Sequence, residues 1–303
     1  MPAGGTVAPP PAESLRAAHF RHYVAMPDWP QPLVQPDHLI GQLGAPDLVV
    51  LDVRWSLERG AEREAYLAGH VPGAEFVDLD LELAGPAGPR GRHPLPPVES
   101  FVASMRRHGV STGSQVVVYD EVTGAAARAW WMLRAAGHRR VAVLDGGLQA
   151  YLEAGGRLTG ERPAPRSGDF QAEGFEGWVE ADGLETCRDR GSVVVDARAR
   201  ARYQGQPNPL DPRPGHLPGA VSLPWTDLFD RGRLRPAAEL RHLLGDAGPE
   251  DRPVVVYCGS GVTSCAVLLA LEVAGGRPGQ LYPGSWSEWA ADPGRPVRNP
   301  MDG

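Results

Sequence analysis

The sequence predicts an α/β protein built from two copies of one domain, each a parallel sheet with helices on both faces. Three observations carry this. Four landmarks occur twice in the same order, with offsets of 144, 146, 138 and 138 residues. Short Val-rich runs bounded by turn residues, without polar/apolar alternation, read as strands buried on both sides. Helical stretches lie between those runs, and strands alternating with helices imply a parallel sheet.

Taken in order, Val49-Val50-Leu51-Asp52-Val53-Arg54 recurs as Val193-Val194-Val195-Asp196-Ala197-Arg198. His70-Val71-Pro72-Gly73-Ala74 recurs as His216-Leu217-Pro218-Gly219-Ala220. Val116-Val117-Val118-Tyr119-Asp120 recurs as Val254-Val255-Val256-Tyr257-Cys258, and Leu144-Asp145-Gly146-Gly147 has its counterpart in Leu281-Tyr282-Pro283-Gly284, Gly146 matching Gly284. Helices are expected at Val98 to His108, Ala125 to Ala136, Ala237 to Leu244 and Thr263 to Ala274. The breaker-rich stretch Gly155 to Gly177 should hold the linker. The expected organisation is an N-terminal extension at 1–27, a first domain at 28–158, a linker at 159–174 and a second domain at 175–300.

With 303 residues each copy is long enough to bury its own core. The net charge of −7, with arginines interleaved among acids, argues against a nucleic-acid surface. Met1 to Ser14 is rich in Pro, Ala and Gly and lacks the basic and apolar regions of a secretory signal. No apolar run approaches the ~18 residues a membrane helix needs. The three cysteines have neither disulfide nor zinc spacing, which predicts a reducing, cytoplasmic setting and no metal.

One strand end differs in kind between the copies. After Tyr257 comes Cys258-Gly259-Ser260-Gly261-Val262-Thr263 and then a helix, where the first copy has Asp120-Glu121-Val122-Thr123-Gly124. A strand, a short Gly-containing loop and a helix N-terminus make an anion site, and open α/β sheets bind ligands at the carboxyl ends of their strands. A thiol there should be held as thiolate, so Cys258 is the expected nucleophile. Cys187 and Cys265 read as packing residues. Trp130, Trp131, Trp286 and Trp289 fit helix-to-sheet packing.

On these residues the sequence resembles the tandem-domain rhodanese family from about residue 30 to 295, implying two rhodanese-like domains. The resemblance implies a sulfurtransferase whose second domain is catalytic and whose first is a related copy without the cysteine. It implies a small-molecule sulfur donor, a Cys258 persulfide, and a cyanide or thiol acceptor, a thioredoxin-like protein included, with no cofactor. The loop Cys-Gly-Ser-Gly-Val-Thr is similar to that of 3-mercaptopyruvate sulfurtransferases. The uncharged Gly259 and Ser260 suit a keto acid better than thiosulfate, which remains the alternative donor.

The same resemblance implies that Gly259, Gly261, Val262 and Thr263 line the donor site and that Arg202 and Arg213 clamp a carboxylate, a task suited to the guanidinium fork. It also implies a relay from Ser260 through a histidine, matched by His70, to an acid. No Asp lies between Arg54 and His70, which leaves Glu58, Glu62 or Glu64. Two other classes are weighed against this reading. A cysteine phosphatase needs an arginine six residues after its nucleophile, where Ser264 stands. A non-enzymatic sulfur carrier or redox sensor needs no arginine clamp.

Overall fold

The computed structural model describes residues 31–302 apart from 165, 249 and 250, so the extension expected at 1–27 lies outside the described residues. Five parallel strands form the first sheet in the order Leu33–Val34, Val141–Leu144, Gln115–Tyr119, Leu48–Asp52, Ala74–Phe76. Four form the second, in the order Gln280–Leu281, Val254–Tyr257, Val193–Asp196, Val221–Ser222. A parallel bridge from Trp178 to Leu281 continues that order at the edge. All pairings within the two sheets are parallel. Their central strands are Val-rich and buried throughout, as parallel strands covered on both faces must be. Among the described residues no helix is long and apolar enough to cross a membrane.

The repeated landmarks have a shared structural cause. In the first copy Asp52 receives the Arg54 guanidinium at 2.7 Å and the Tyr119 hydroxyl at 2.6 Å. In the second, Asp196 receives Arg198 at 2.7 Å and Tyr257 at 2.6 Å. Each buried arginine also donates to a carbonyl just before the repeated histidine, Gly69 or Gly215. The two histidines stack on tyrosines, His70 on Tyr66 and His216 on Tyr203, and bond those tyrosines' carbonyls through Nδ1. Buried ions paired and hydrogen-bonded in this way lock strand ends to the following turn.

Two helices join the halves. Ala125–Ala135 and Ser264–Val273 follow the equivalent strand ends and are apolar almost all round, which marks core helices. They pack together, and one apolar core runs from Val49 and Trp130 in the first half to Cys265 and Leu281 in the second. The stretch 159–174 is held to the first copy: Gly168 donates to the Arg106 carbonyl, Phe170 to that of Val110, and the Phe170 ring is buried.

His108 fastens the helix Val98–Arg107 to its neighbours, with Nε2 2.8 Å from Glu82 and Nδ1 3.8 Å from Glu75. Burial opposes its charge, but the pairing with Glu75 and Glu82 prevails and raises its pKa to about 9. A raised pKa gives stability that is complete below the unfolded value of about 6.5 and is lost as pH rises through the folded value. His108→Gln is therefore expected to lower Tm by several degrees near about pH 6 and by little near about pH 10. Thermal melts at the two pH values check it, and a constant difference would refute it.

Candidate active site

Cys258 ends the strand Val254–Tyr257 and is 2% exposed. Its carbonyl and that of Gly259 accept the amides of Trp286 and Ser287, and its own amide donates to Ser285 Oγ. These bonds leave the loop little freedom. Gly261 sits at φ 79°, where a Cβ would stand 2.4 Å from the Pro283 carbonyl oxygen, so only glycine fits. Its amide donates to Cys258 Sγ at 3.1 Å. Burial raises the thiol pKa, but the nearby hydroxyls of Thr263 and Ser264 and the amides of Ser260 and Ser264 outweigh it, so the net shift is downward. The loop favours the thiolate over the thiol.

Gly259 has a different use from that of a turn glycine. A Cβ built there would lie 3.0 Å from Arg92 Nη2 and 3.2 Å from Arg202 Nη2, so the missing side chain leaves room for two guanidiniums beside the cysteine. Arg92 comes from the first half. Its amide donates to Ser287 Oγ and its Nη1 to the Leu210 carbonyl. Burial and then repulsion from Arg202 lower its pKa. Arg202 is held by Asp211, through Nε at 2.9 Å and through Nη2.

Arg213, expected as the second arm of this clamp, is elsewhere. Its guanidinium donates through Nε and Nη2 to the carbonyls of Trp289, Ala290, Asp292 and Arg295, and these bonds tie it to that segment. It is a staple for the segment after Trp289, and the guanidinium that accompanies Arg202 beside Gly259 is that of Arg92.

The relay histidine is also corrected. Both ring nitrogens of His70 face backbone carbonyls, Tyr66 at 2.8 Å and Glu161 at 3.1 Å, and the ring is wholly buried. The histidine that meets Ser260 is His93, with Nδ1 2.8 Å from Ser260 Oγ. Its other nitrogen faces Asp80 at 3.2 Å, so the acid is Asp80 and none of Glu58, Glu62 and Glu64. Asp80 requires a proton on Nε2, which leaves Nδ1 to accept the Ser260 hydroxyl. Burial first, then the charge of Arg128, press the His93 pKa down to about 4, so the ring is neutral at ordinary pH. Asp80 is placed by local folding. Asp78 caps the helix Leu79–Glu82 by accepting from the amides of Asp80 and Leu81, while Glu82 accepts the Asp78 amide. Trp55 Nε1 then bonds the other Asp80 oxygen at 3.0 Å, and its ring meets His93 edge-on.

Sequence reasoning missed Arg92, His93 and Asp80 because they reach the cysteine from the other copy. A signal was present. His70 and Asp120 are 50 residues apart, whereas His216 and Cys258 are 42 apart. The extra residues fall between the helix Leu79–Glu82 and the helix Val98–Arg107, the loop that carries Arg92 and His93. In the second copy the same place holds the short hairpin Phe229–Asp230 and Arg233–Leu234, which lies against Asp145 of the first.

In the first copy Asp120 occupies the position of Cys258. Its carboxylate accepts from the amides of Val122, Thr123 and Ala126 and from the Thr123 hydroxyl. The loop cradle is the same, but its anion is a fixed part of the chain. Cys187 and Cys265 are free thiols, and burial raises both, Cys265 to about 12.

The rhodanese-like domain family matches the chain twice, at residues 35–154 and 173–292. The probable 3-mercaptopyruvate sulfurtransferase of Pseudomonas aeruginosa is 43% identical over 276 residues, 88% of this chain and 97% of that protein. SseB of Mycobacterium tuberculosis, named for thiosulfate sulfurtransferase activity, is 42% identical over 276 residues, 88% of this chain and 96% of that one. The crystal structure of SseA from Escherichia coli, a 3-mercaptopyruvate sulfurtransferase, superimposes with a TM-score of 0.76 at 35% identity, covering 85% of this chain and 100% of that one. With both halves matched and likeness running across the cysteine loop, the chain belongs to the rhodanese family as a tandem-domain sulfurtransferase of the SseA type.

Proposed function

We propose that the enzyme moves a sulfur atom from 3-mercaptopyruvate to a thiophilic acceptor, cyanide or a thiol, through a persulfide on Cys258. The observation that carries this reading is the hydrogen-bonded series Ser260–His93–Asp80 beside the thiolate. The two candidate donors differ in their need for a proton. When Cys258 attacks the sulfur of thiosulfate, the S–S bond breaks and sulfite leaves with the electron pair, with no proton required. When it attacks the sulfur of mercaptopyruvate, the S–C bond breaks and the pair passes to the methylene carbon as pyruvate enolate, which must be protonated.

Ser260 and His93 suit that transfer. The proton on the donor's sulfur passes to Ser260 Oγ while the hydroxyl's own proton is held at His93 Nδ1, with Asp80 stabilising the imidazolium. It then returns through Ser260 to the methylene carbon. Arg202 and Arg92 hold the carboxylate, and Gly261 and Thr263 hold charge on sulfur. The acceptor then attacks the outer sulfur and restores the thiolate.

Thiosulfate is the second reading, because two guanidiniums beside Gly259 also suit a dianion and SseB carries that name. Comparing kcat/KM for both donors decides between them. Mercaptopyruvate should be preferred, and Ser260→Ala should lower its kcat by about 10²-fold, within the usual range for a general acid–base group, while sparing thiosulfate. A preference for thiosulfate, or equal losses for both donors, would refute the proposal.

A further inference from the structure

We propose that Arg128, on the first copy's helix Ala125–Ala135, is a positioning residue that binds the relay loop to the cysteine loop and serves as counter-ion to the Cys258 thiolate. Arg128 is fully buried and, among the described residues, has no carboxylate partner. Such a residue is expensive to bury, and arginines in cores ordinarily sit against acids, as Arg54 and Arg198 do here. Its two Nη groups donate to three backbone carbonyls instead. Nη1 donates to Gly261 at 2.9 Å, and Nη2 donates to Leu83 and His93, each at 3.2 Å.

These three carbonyls are not incidental. Gly261 supplies the amide that faces Cys258 Sγ. Leu83 ends the helix that carries Asp80, and His93 is the partner of Ser260. One planar fork thus fixes the spacing between both halves of the hydrogen-bonded series, across the junction of the two copies.

Its charge acts on the same groups. Among the described residues, the charged or titratable groups around Cys258 include Arg92, Arg202 with its partner Asp211, the His93–Asp80 pair, and Arg128 with Cys265. Arg128 is one residue removed from the sulfur, since the Gly261 that accepts from it donates its amide to Cys258 Sγ, and its charge acts on Cys265 and then on Cys258. Burial favours the thiol at Cys265, which leaves Cys258 as the group that charge favours as an anion. The same positive charge disfavours imidazolium at His93. A single residue therefore favours both states that sulfur transfer begins from, an ionised cysteine and a neutral histidine.

The relay part of this inference rests on the proton-transfer reading above, whereas the counter-ion part does not, and the test separates them. Cys258 alkylation by iodoacetamide is followed against pH in the wild type, Arg128→Lys and Arg128→Met, with kcat and KM for both donors. Arg128→Met should move the alkylation midpoint up by about one unit, the usual effect of losing a nearby opposite charge. Arg128→Lys keeps the charge but cannot span three carbonyls, so its midpoint should stay while kcat for mercaptopyruvate falls about tenfold at unchanged KM. In a Ser260→Ala background that loss should vanish, because both changes disable one path.

An unmoved midpoint in Arg128→Met overturns the counter-ion role. Wild-type kcat in Arg128→Lys, or a loss that multiplies with that of Ser260→Ala, overturns the positioning role. Should Arg128→Met fail to fold, the Lys variant still decides, since an upward midpoint shift there with the charge retained would also refute the counter-ion role. If thiosulfate proves the better donor, the alkylation result stands unaffected.

Discussion

Cys258→Ala is expected to lower sulfur transfer by more than about 10⁴-fold, the scale on which removal of a covalent nucleophile acts. The measurement is paired. Turnover is followed by pyruvate release, and intact mass is taken after donor treatment, when the wild type should carry one extra sulfur and the variant none. Cys258→Ser should fare no better, because the cradle that ionises a thiol leaves a serine hydroxyl protonated. Neither other cysteine can substitute. Burial raises both thiols, and Cys265 donates weakly to the Gly261 carbonyl within the core. A persulfide found on either in the Ala variant would refute the assignment.

The second large effect is expected at Arg202. Arg202→Ala should raise KM for mercaptopyruvate by about 10²-fold, the loss of one arm of a desolvated charge pair, with a much smaller fall in kcat. Arg202→Lys should recover only part, since a point charge does not reproduce a two-pronged contact. Arg92→Ala should act in the same direction. Arg213→Ala provides the contrast, because it removes four carbonyl contacts and touches no part of the cysteine loop. It should lower Tm and leave KM unchanged. Steady-state kinetics beside thermal melts check all four, and an Arg213→Ala enzyme with the larger KM defect would restore the clamp first read from the sequence.

The contrast between Arg202 and Arg213 shows which parts of the site were legible. Cys258, Gly261, Thr263 and Ser264 lie within one short loop, so their chemistry follows from local rules for a strand end and a helix start. The sheets were legible for the same reason, since Val-rich runs and their turns are local patterns, and the helix expected at Ala237 to Leu244 forms at those residues. Arg213 misled because sequence neighbours say nothing about which carbonyls an arginine will meet, and the turn at Trp289–Arg295 claimed it first.

His70 misled differently. Its motif is truly repeated, but the repetition reports a stacked, backbone-bound turn common to both copies, as the equivalent bonds of His216 reveal. A residue that serves one copy's chemistry should break the repeat, and the segment holding Arg92 and His93 does. Distances between landmarks held information that the landmarks themselves did not.

The Asp120 cradle bears on what the duplicated loop is for. One arrangement of amides and a hydroxyl, used twice, holds a carboxylate in one place and a sulfur in the other. The first is a socket plugged for good, its occupant covalently part of the wall. The second has an occupant whose outer atom arrives and departs. Between a permanently closed port and a working one, the chain differs at the strand-end side chain, along the short loop that follows it and in the length of the loop that carries Arg92 and His93, while the strand and the helix that frame the port stay the same.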